Sequence, residues 1–120
     1  MTSDTLKSYK KLRVWVAADQ LAHEVYRVTK QLPRDEQYGI SAQLRRAALS
    51  VPTNLVEGQA RKGRRELKQF TAIALGSLAE VEYLLEFALG EGLLSAASYD
   101  EVERLRKSTG ALLWNFYEAL

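Results

Sequence analysis

Residues 43–58 read QLRRAALSVPTNLVEG. Leu44, Ala47, Val51 and Leu55 recur at steps of three and four, which is one face of an α-helix, and Ile40 extends the stripe upstream. Pro52 falls inside the pattern. It has no N–H, so the carbonyl of Ala48 loses its helical donor, and the ring is expected to kink the helix. An interior proline costs about 3 kcal/mol relative to alanine. A helix that keeps one needs something to offset it, for instance a kink that follows the curvature of a bundle. Beside the apolar stripe, Gln43, Arg46, Ser50, Asn54 and Glu57 form a polar row. Partly buried, they must satisfy one another or groups on a neighbouring helix such as Ser77 and Glu80. That row reads either as a structural network with Arg46 as its cation or as a polar binding site. Gly58 marks a place where another backbone can come close.

Outward from this segment the chain reads as four helices. The first spans about Leu12 to Leu32. Trp15, Ala18, Leu21, Ala22, Val25, Tyr26, Val28, Thr29 and Leu32 share its apolar face, and Pro33 stops it. The second spans about Asp35 to Lys62. The third spans about Arg64 to Gly90, with Gly90 and Gly92 closing it. Ser98 and Glu101 form a capping-box pattern that predicts the start of the fourth. Val102, Leu105, Thr109, Leu112, Leu113, Phe116 and Leu120 supply that helix's apolar face. No strand pattern or internal repeat is present. Short connections make neighbours antiparallel. The expected fold is all-α, an up-down-up-down antiparallel four-helix bundle kinked at Pro52. Residues 1–11 form a polar lead-in and residues 12–120 a single domain.

The third helix is apolar on more than one side. Leu67, Phe70, Ala74, Leu78, Val81 and Leu85 line one face, and Ile73, Gly76, Tyr83, Leu84 and Phe87 lie on roughly the opposite one. A helix apolar nearly all round must be covered nearly all round. Leu49 and Val56 fall behind the stripe of the second helix, and Trp114 falls off that of the fourth. Leu49, Val56, Ile73, Tyr83, Leu84, Phe87 and Trp114 are therefore the expected contacts of a homo-oligomer. Scattered surface apolar residues are the plainer alternative.

Charge is the second signal. The net charge of +2 hides an asymmetry. Residues 1–79 hold 14 Lys/Arg against 7 Asp/Glu, and residues 80–120 hold 3 against 8. Either a basic face meets an anionic partner, or two halves of the bundle attract each other. The basic run Arg61, Lys62, Arg64, Arg65 and Lys68 sits at the junction of the second and third helices, where Gly63 permits a sharp turn. Such a cluster binds phosphate backbones through counterion release, and Arg45 is a further candidate across the second helix. A solvated helix junction is the alternative. Lys7, Lys10, Lys11 and Arg13, with Tyr9 among them, make a second basic stretch, either a disordered arm or a polar lead-in.

Signals for catalysis are few. The 120 residues contain no cysteine, which excludes a disulfide scaffold, a thiol nucleophile and a Cys-based zinc site. His23 is the single histidine, on the polar face of the first helix, with no nucleophile or carboxylate constellation around it. Glu80, Glu82 and Glu86 lack the histidines of di-iron bundles, and no Gly-rich phosphate loop occurs. No enzyme activity, cofactor or metal is expected. No signal sequence or membrane span is read, so the expected location is cytoplasmic.

Three blocks carry a family resemblance. VWVAADQLAHEVYRVTKQLP (14–33), YGISAQLRRAALSVPTNLVEG (38–58) and FTAIALGSLAEVEYLL (70–85) resemble the bacterial four-helix-bundle proteins encoded in 23S ribosomal RNA intervening sequences. Tyr38-Gly39, Gln43 to Ala47, Ser50-Val51-Pro52, Asn54 and Glu57-Gly58 carry the middle block, and Phe70, Ala74, Gly76-Ser77-Leu78 and Glu80 the third. The resemblance extends from about Tyr9 to Leu120. It implies an up-down bundle that assembles into a ring, a pentamer. It also implies similarity to the accessory protein of diversity-generating retroelements, which works with a reverse transcriptase and engages nucleic acid through a basic surface. The expected partners are thus further copies of the chain, RNA or DNA, and a reverse transcriptase or ribosomal component. The function expected is a non-enzymatic, RNA- or ribonucleoprotein-binding oligomer. A protein–protein scaffold without nucleic acid is the alternative.

Overall fold

The computed structural model describes residues 8–120. Lys7 and the rest of the lead-in before it lie outside the described residues. A 3-10 turn at Ser8–Lys11 leads into α1 (Arg13–Thr29). A second 3-10 turn, Arg34–Glu36, precedes α2 (Ile40–Ala60), and α3 (Arg64–Gly90) and α4 (Ala96–Glu118) complete the chain. The described residues contain no strand. The 27 residues of α3 give a rod of about 40 Å at 1.5 Å per residue. That helix sets the long dimension of a 46 × 26 × 19 Å molecule.

The four helices pack as a ring, each touching the next, with the most extensive interface between α2 and α3. Cross-helix pairs run in opposite order along each neighbouring pair. Thr109 Oγ1 donates to the Ala17 carbonyl (3.3 Å), while Arg27 reaches Glu101 (3.3 Å) at the far end of the same pair. Ser50 meets Ser77 (2.8 Å), and Gly58 faces Leu67 and Phe70. Arg106 meets Glu82 (2.7 Å), and Arg64 meets the carbonyl of Ala119 (2.6 Å). These pairs make each neighbour antiparallel.

The apolar stripes meet inside. Leu21, Val25, Val28, Leu44, Val51, Leu55, Val81, Leu85, Val102 and Leu113 are fully buried. Three threonines share that interior, and each hydroxyl is satisfied within its own helix. Thr29 donates to the Val25 carbonyl (2.8 Å), Thr71 to that of Leu67 (2.7 Å) and Thr109 to that of Leu105 (2.8 Å). On the surface, Arg27 binds the Glu24 carboxylate, and this hydrogen bond holds Glu24 below its ordinary pKa.

Helix α2 continues through Pro52, which is buried. Side chains supply donors to carbonyls beside the missing N–H. Thr53 Oγ1 donates to the Leu49 carbonyl (2.7 Å), and Asn54 Nδ2 donates to that of Ser50 (2.7 Å). Gly58 allows the close approach of α3. A Cβ there would lie 2.9 Å from Phe70 Cβ and 3.0 Å from Leu67 Cδ1.

Three local expectations change. The cap of α4 is Ser95, whose side chain accepts from the Ser98 N–H (3.1 Å). Ser98 is already inside the helix and bonds Gln31, while Glu101 faces Arg27, so no capping box forms. At the α2–α3 corner it is Lys62, not Gly63, that takes the left-handed conformation (φ 65°), while Gly63 has φ −97°. Finally, Leu84 is only 7% exposed, so it belongs to the core of one chain and not to an outer face. It follows Ser77 and Val81 at helical spacing on the arc of α3 that meets α2. By contrast α3 ends as its glycines indicate. Gly92 (φ 72°) lets its own N–H reach the Leu89 carbonyl (3.1 Å) and that of Leu93 reach Ala88 (2.9 Å).

Candidate nucleic-acid interface

The antiparallel ring decides which charges meet. The start of α1, the end of α2, the start of α3 and the end of α4 share one end of the bundle. The Ser8–Lys11 turn packs against α1 and α2, with Tyr9 edge-on to Trp15 (4.9 Å between centroids). Lys10, Lys11 and Arg13 therefore come to the same end as Arg61, Lys62, Arg64, Arg65 and Lys68. The carboxylates of that end are Glu57, Glu66 and Glu118. The opposite end holds nine carboxylates, Glu24, Asp35, Glu36, Glu82, Glu86, Glu91, Asp100, Glu101 and Glu103, against six cations, Arg27, Lys30, Arg34, Arg45, Arg104 and Arg106. The charge asymmetry is thus a polarity along the long axis. Among the described residues, Arg27–Glu101 is the one ion pair joining the basic and acidic portions of the chain.

The basic corner is partly organised. Arg61 pairs with Glu57 (3.5 Å) and lies over the Phe70 ring (5.4 Å). Arg64 is tied to the last turn of α4 through the Ala119 carbonyl. Lys68 lies over the Tyr117 ring (4.8 Å), and Tyr117 stacks with Trp114 (5.7 Å, 29°). Lys62 and Arg65 are exposed and form no ion pair among the described residues. A cleft of about 240 Å³ opens between Gly58, Lys62, Gly63, Arg64, Leu67 and Leu120, beside the start of α3. Exposed cations, a helix start and two stacked rings therefore occupy one end. That combination suits an anionic, base-bearing chain. Sequence reasoning overlooked Tyr117 and the position of Trp114. The Trp-x-x-Tyr spacing, one turn of helix, was the available signal.

Arg45 does not join this corner. It lies sixteen residues upstream of Arg61 on the same helix, or about 24 Å along the axis. Its Nε donates to Thr29 Oγ1 (2.7 Å), and its guanidinium lies over the Tyr26 ring (4.7 Å).

The polar row of α2 closes only at its centre. Asn54 Nδ2 reaches Ser50 Oγ (2.9 Å), and that hydroxyl meets Ser77 on α3. Gln43 and Arg46 are exposed and outside these bonds. Glu57 turns instead to Arg61, and Glu80 is exposed. The ladder is shorter than expected because Arg46 and Glu57 reach solvent, where charge is better hydrated.

Of the expected oligomer contacts, Tyr83 (62% exposed), Ile73, Phe87, Trp114 and Leu49 are open, and Val56 is half-buried. Leu84 is not among them. Val16, Tyr26 and Tyr38 are exposed apolar residues that the off-stripe reading missed. His23 is exposed beside Asp19 (3.5 Å). Among the described residues no group of three or more His, Cys, Asp or Glu could hold a metal ion, and no helix is long and apolar enough to cross a membrane.

A solved structure from Bacteroides thetaiotaomicron, described as a protein of unknown function from the S23 ribosomal protein family, shares the fold. The TM-score is 0.79 at 23% identity, covering 87% of this chain and 97% of that one. No curated protein matches the chain. The description of 23S rRNA-intervening sequence protein belongs to a family model that matches residues 10–115, and the chain is a member of that family.

Proposed function

We propose that this chain is a non-enzymatic, self-associating bundle of the cytoplasm that binds RNA or a ribonucleoprotein through its basic end. The observation that carries this reading is the meeting of two basic stretches, separated by some fifty residues of sequence, at one end of the bundle. Eight cations stand there against three carboxylates. A cluster of this kind contacts phosphates without reading sequence, and self-association would present it several times over. Trp114, exposed and stacked on the half-buried Tyr117, adds a ring on which an unpaired base can stack. A ribosomal component or a reverse transcriptase, each bound to RNA in its working state, is the kind of partner this surface suits.

Fluorescence anisotropy with a structured RNA across a salt series tests the reading. Affinity should fall as salt rises. Replacing Arg61, Lys62, Arg64, Arg65 and Lys68 by glutamine should reduce the slope of log affinity against log salt by about 0.7–0.9 for each phosphate left without its cation. Binding that survives the fivefold replacement would refute the role of these residues. The second reading, a protein scaffold, draws on the exposed Ile73, Tyr83 and Phe87. A flat curve at low salt, with a protein partner recovered through those residues, favours it.

A further inference from the structure

A second cluster of cations lies at the opposite end of the molecule. A cleft of about 300 Å³ opens where α1 turns into α2, lined by Thr29, Lys30, Pro33, Arg34, Ser41 and Arg45, among others. Three observations meet in it. First, Arg45 is held in place before any ligand arrives. Its Nε donates to Thr29 Oγ1 (2.7 Å), Nη2 reaches the Tyr26 carbonyl (3.4 Å), and its plane rests on the Tyr26 ring. Those bonds use two of the five N–H groups of a guanidinium and leave the others available. Second, Ser41 is only 6% exposed, lines the cleft, and its hydroxyl has no hydrogen-bond partner among the described residues. Ser41 is thus nearly buried as a residue, while its hydroxyl is open to the cleft and available to a ligand there. Third, Ser41 belongs to the first turn of α2, which has no side-chain cap. The N–H groups of Ile40, Ser41 and Ala42 find no backbone acceptor. Lys30 and Arg34 add two cations with no ion pair among the described residues. Asp35 and Glu36 do not line the cleft, although the Glu36 carboxylate lies against Gly39 at the start of α2, 3.1 Å from where a Cβ would be.

We infer that this cleft is a binding site for a phosphate monoester, separate from the basic corner and independent of it. Arg45 supplies a fixed, planar donor, Ser41 a hydroxyl open to the cleft, and Lys30 and Arg34 the balancing charge. The first-turn N–H groups of α2 add further donors beside the Glu36 carboxylate, which lies against Gly39. A flat basic surface would take any stretch of phosphate backbone. This cleft is a concavity of about 300 Å³ whose apolar lining is Leu32 and Pro33, a size suited to a single phosphate group and not to a length of backbone.

The test is a ¹H–¹⁵N titration of the full chain with inorganic phosphate, with sodium chloride at matched ionic strength as the control. Saturable shifts are expected at the amides of Ser41 and Ala42 and at Arg45 Nε, and chloride should not reproduce them. Ser41→Ala breaks no bond of the fold and Arg34 is exposed. A Ser41→Ala/Arg34→Gln double variant should therefore stay folded and bind phosphate about tenfold more weakly. The variant with five glutamines at the basic corner should bind as the parent does, which separates this site from the proposed RNA surface. Adenosine 5′-monophosphate and a short 5′-phosphorylated oligoribonucleotide distinguish the two sources of such a group. Whichever of them shifts the same amides identifies the ligand, and the 5′-hydroxyl strand should leave them unmoved. Absence of a saturable shift at millimolar phosphate, shifts confined to residues 61–68, or unchanged affinity in the double variant would each overturn the inference.

Discussion

Gly58 is where one atom has the largest structural consequence. Alanine would place a Cβ 2.9 Å from Phe70 Cβ, which is anchored to its backbone and cannot swing aside. Alanine favours the helix by up to about 1 kcal/mol, but overpacking costs about 1–3 kcal/mol. Gly58→Ala should therefore destabilise by about 1–2 kcal/mol, read as a lower midpoint in urea with an unchanged slope. A midpoint at or above that of the parent would show that α2 and α3 separate freely. This glycine was legible in the sequence because a helical pattern has no local use for it. Other single residues were not. Ser95 and Ser98 both offer a hydroxyl ahead of the apolar face of α4, and only the turn after Gly92 decides between them. Lys62 takes a conformation ordinarily left to glycine, with Gly63 beside it, because the corner places the left-handed residue one position earlier. Composition alone makes Arg45 a neighbour of the basic run. The helical rise removes it by about 24 Å.

At the scale of elements, α2 holds both the strongest signal and the least complete reading. Its apolar stripe is buried as its periodicity requires, and the bounds of α3 coincide with those read from its glycines and basic start. The polar row was legible as a row but not as a network. Spacing shows which residues share a side, whereas the neighbouring helix decides which of them have partners. Ser77 meets Ser50, and nothing meets Gln43 or Arg46 in that way. The central part is the part with structural weight. Asn54 bonds both the backbone and the hydroxyl of Ser50, two residues before the proline. Asn54→Ala leaves the Ser50 carbonyl without that side-chain donor and frees the Ser50–Ser77 pair to rotate. The expected loss is about 1–2 kcal/mol, seen as a lower melting temperature. Arg46→Ala should change stability by less than about 0.5 kcal/mol, since its side chain is solvated. Equal effects of the two substitutions would return weight to the longer ladder.

For the whole molecule, the question is what α3 does with its outer side. Ile73, Gly76, Glu80, Tyr83 and Phe87 follow one another at steps of three and four along its exposed face, and Tyr83 and Phe87 lie against each other (6.4 Å). The seam is apolar except for Glu80, and Gly76 sits in its centre with nothing within 4 Å of where its Cβ would be. In a single chain that glycine only weakens a helix, by about 1 kcal/mol relative to alanine. In an assembly it lets a second backbone come close. The two cases give opposite outcomes for one substitution. If the proposed self-association uses this seam, Gly76→Ala should shift the sedimentation coefficient towards the 13.5 kDa monomer and lower the melting temperature at high protein concentration. Ile73→Lys with Tyr83→Lys should give the monomer outright while far-ultraviolet circular dichroism stays helical, because neither side chain belongs to the core. If the seam is merely an exposed surface, Gly76→Ala should raise the melting temperature and leave sedimentation unchanged. A parent protein that sediments as a monomer at micromolar concentration would end the self-association reading.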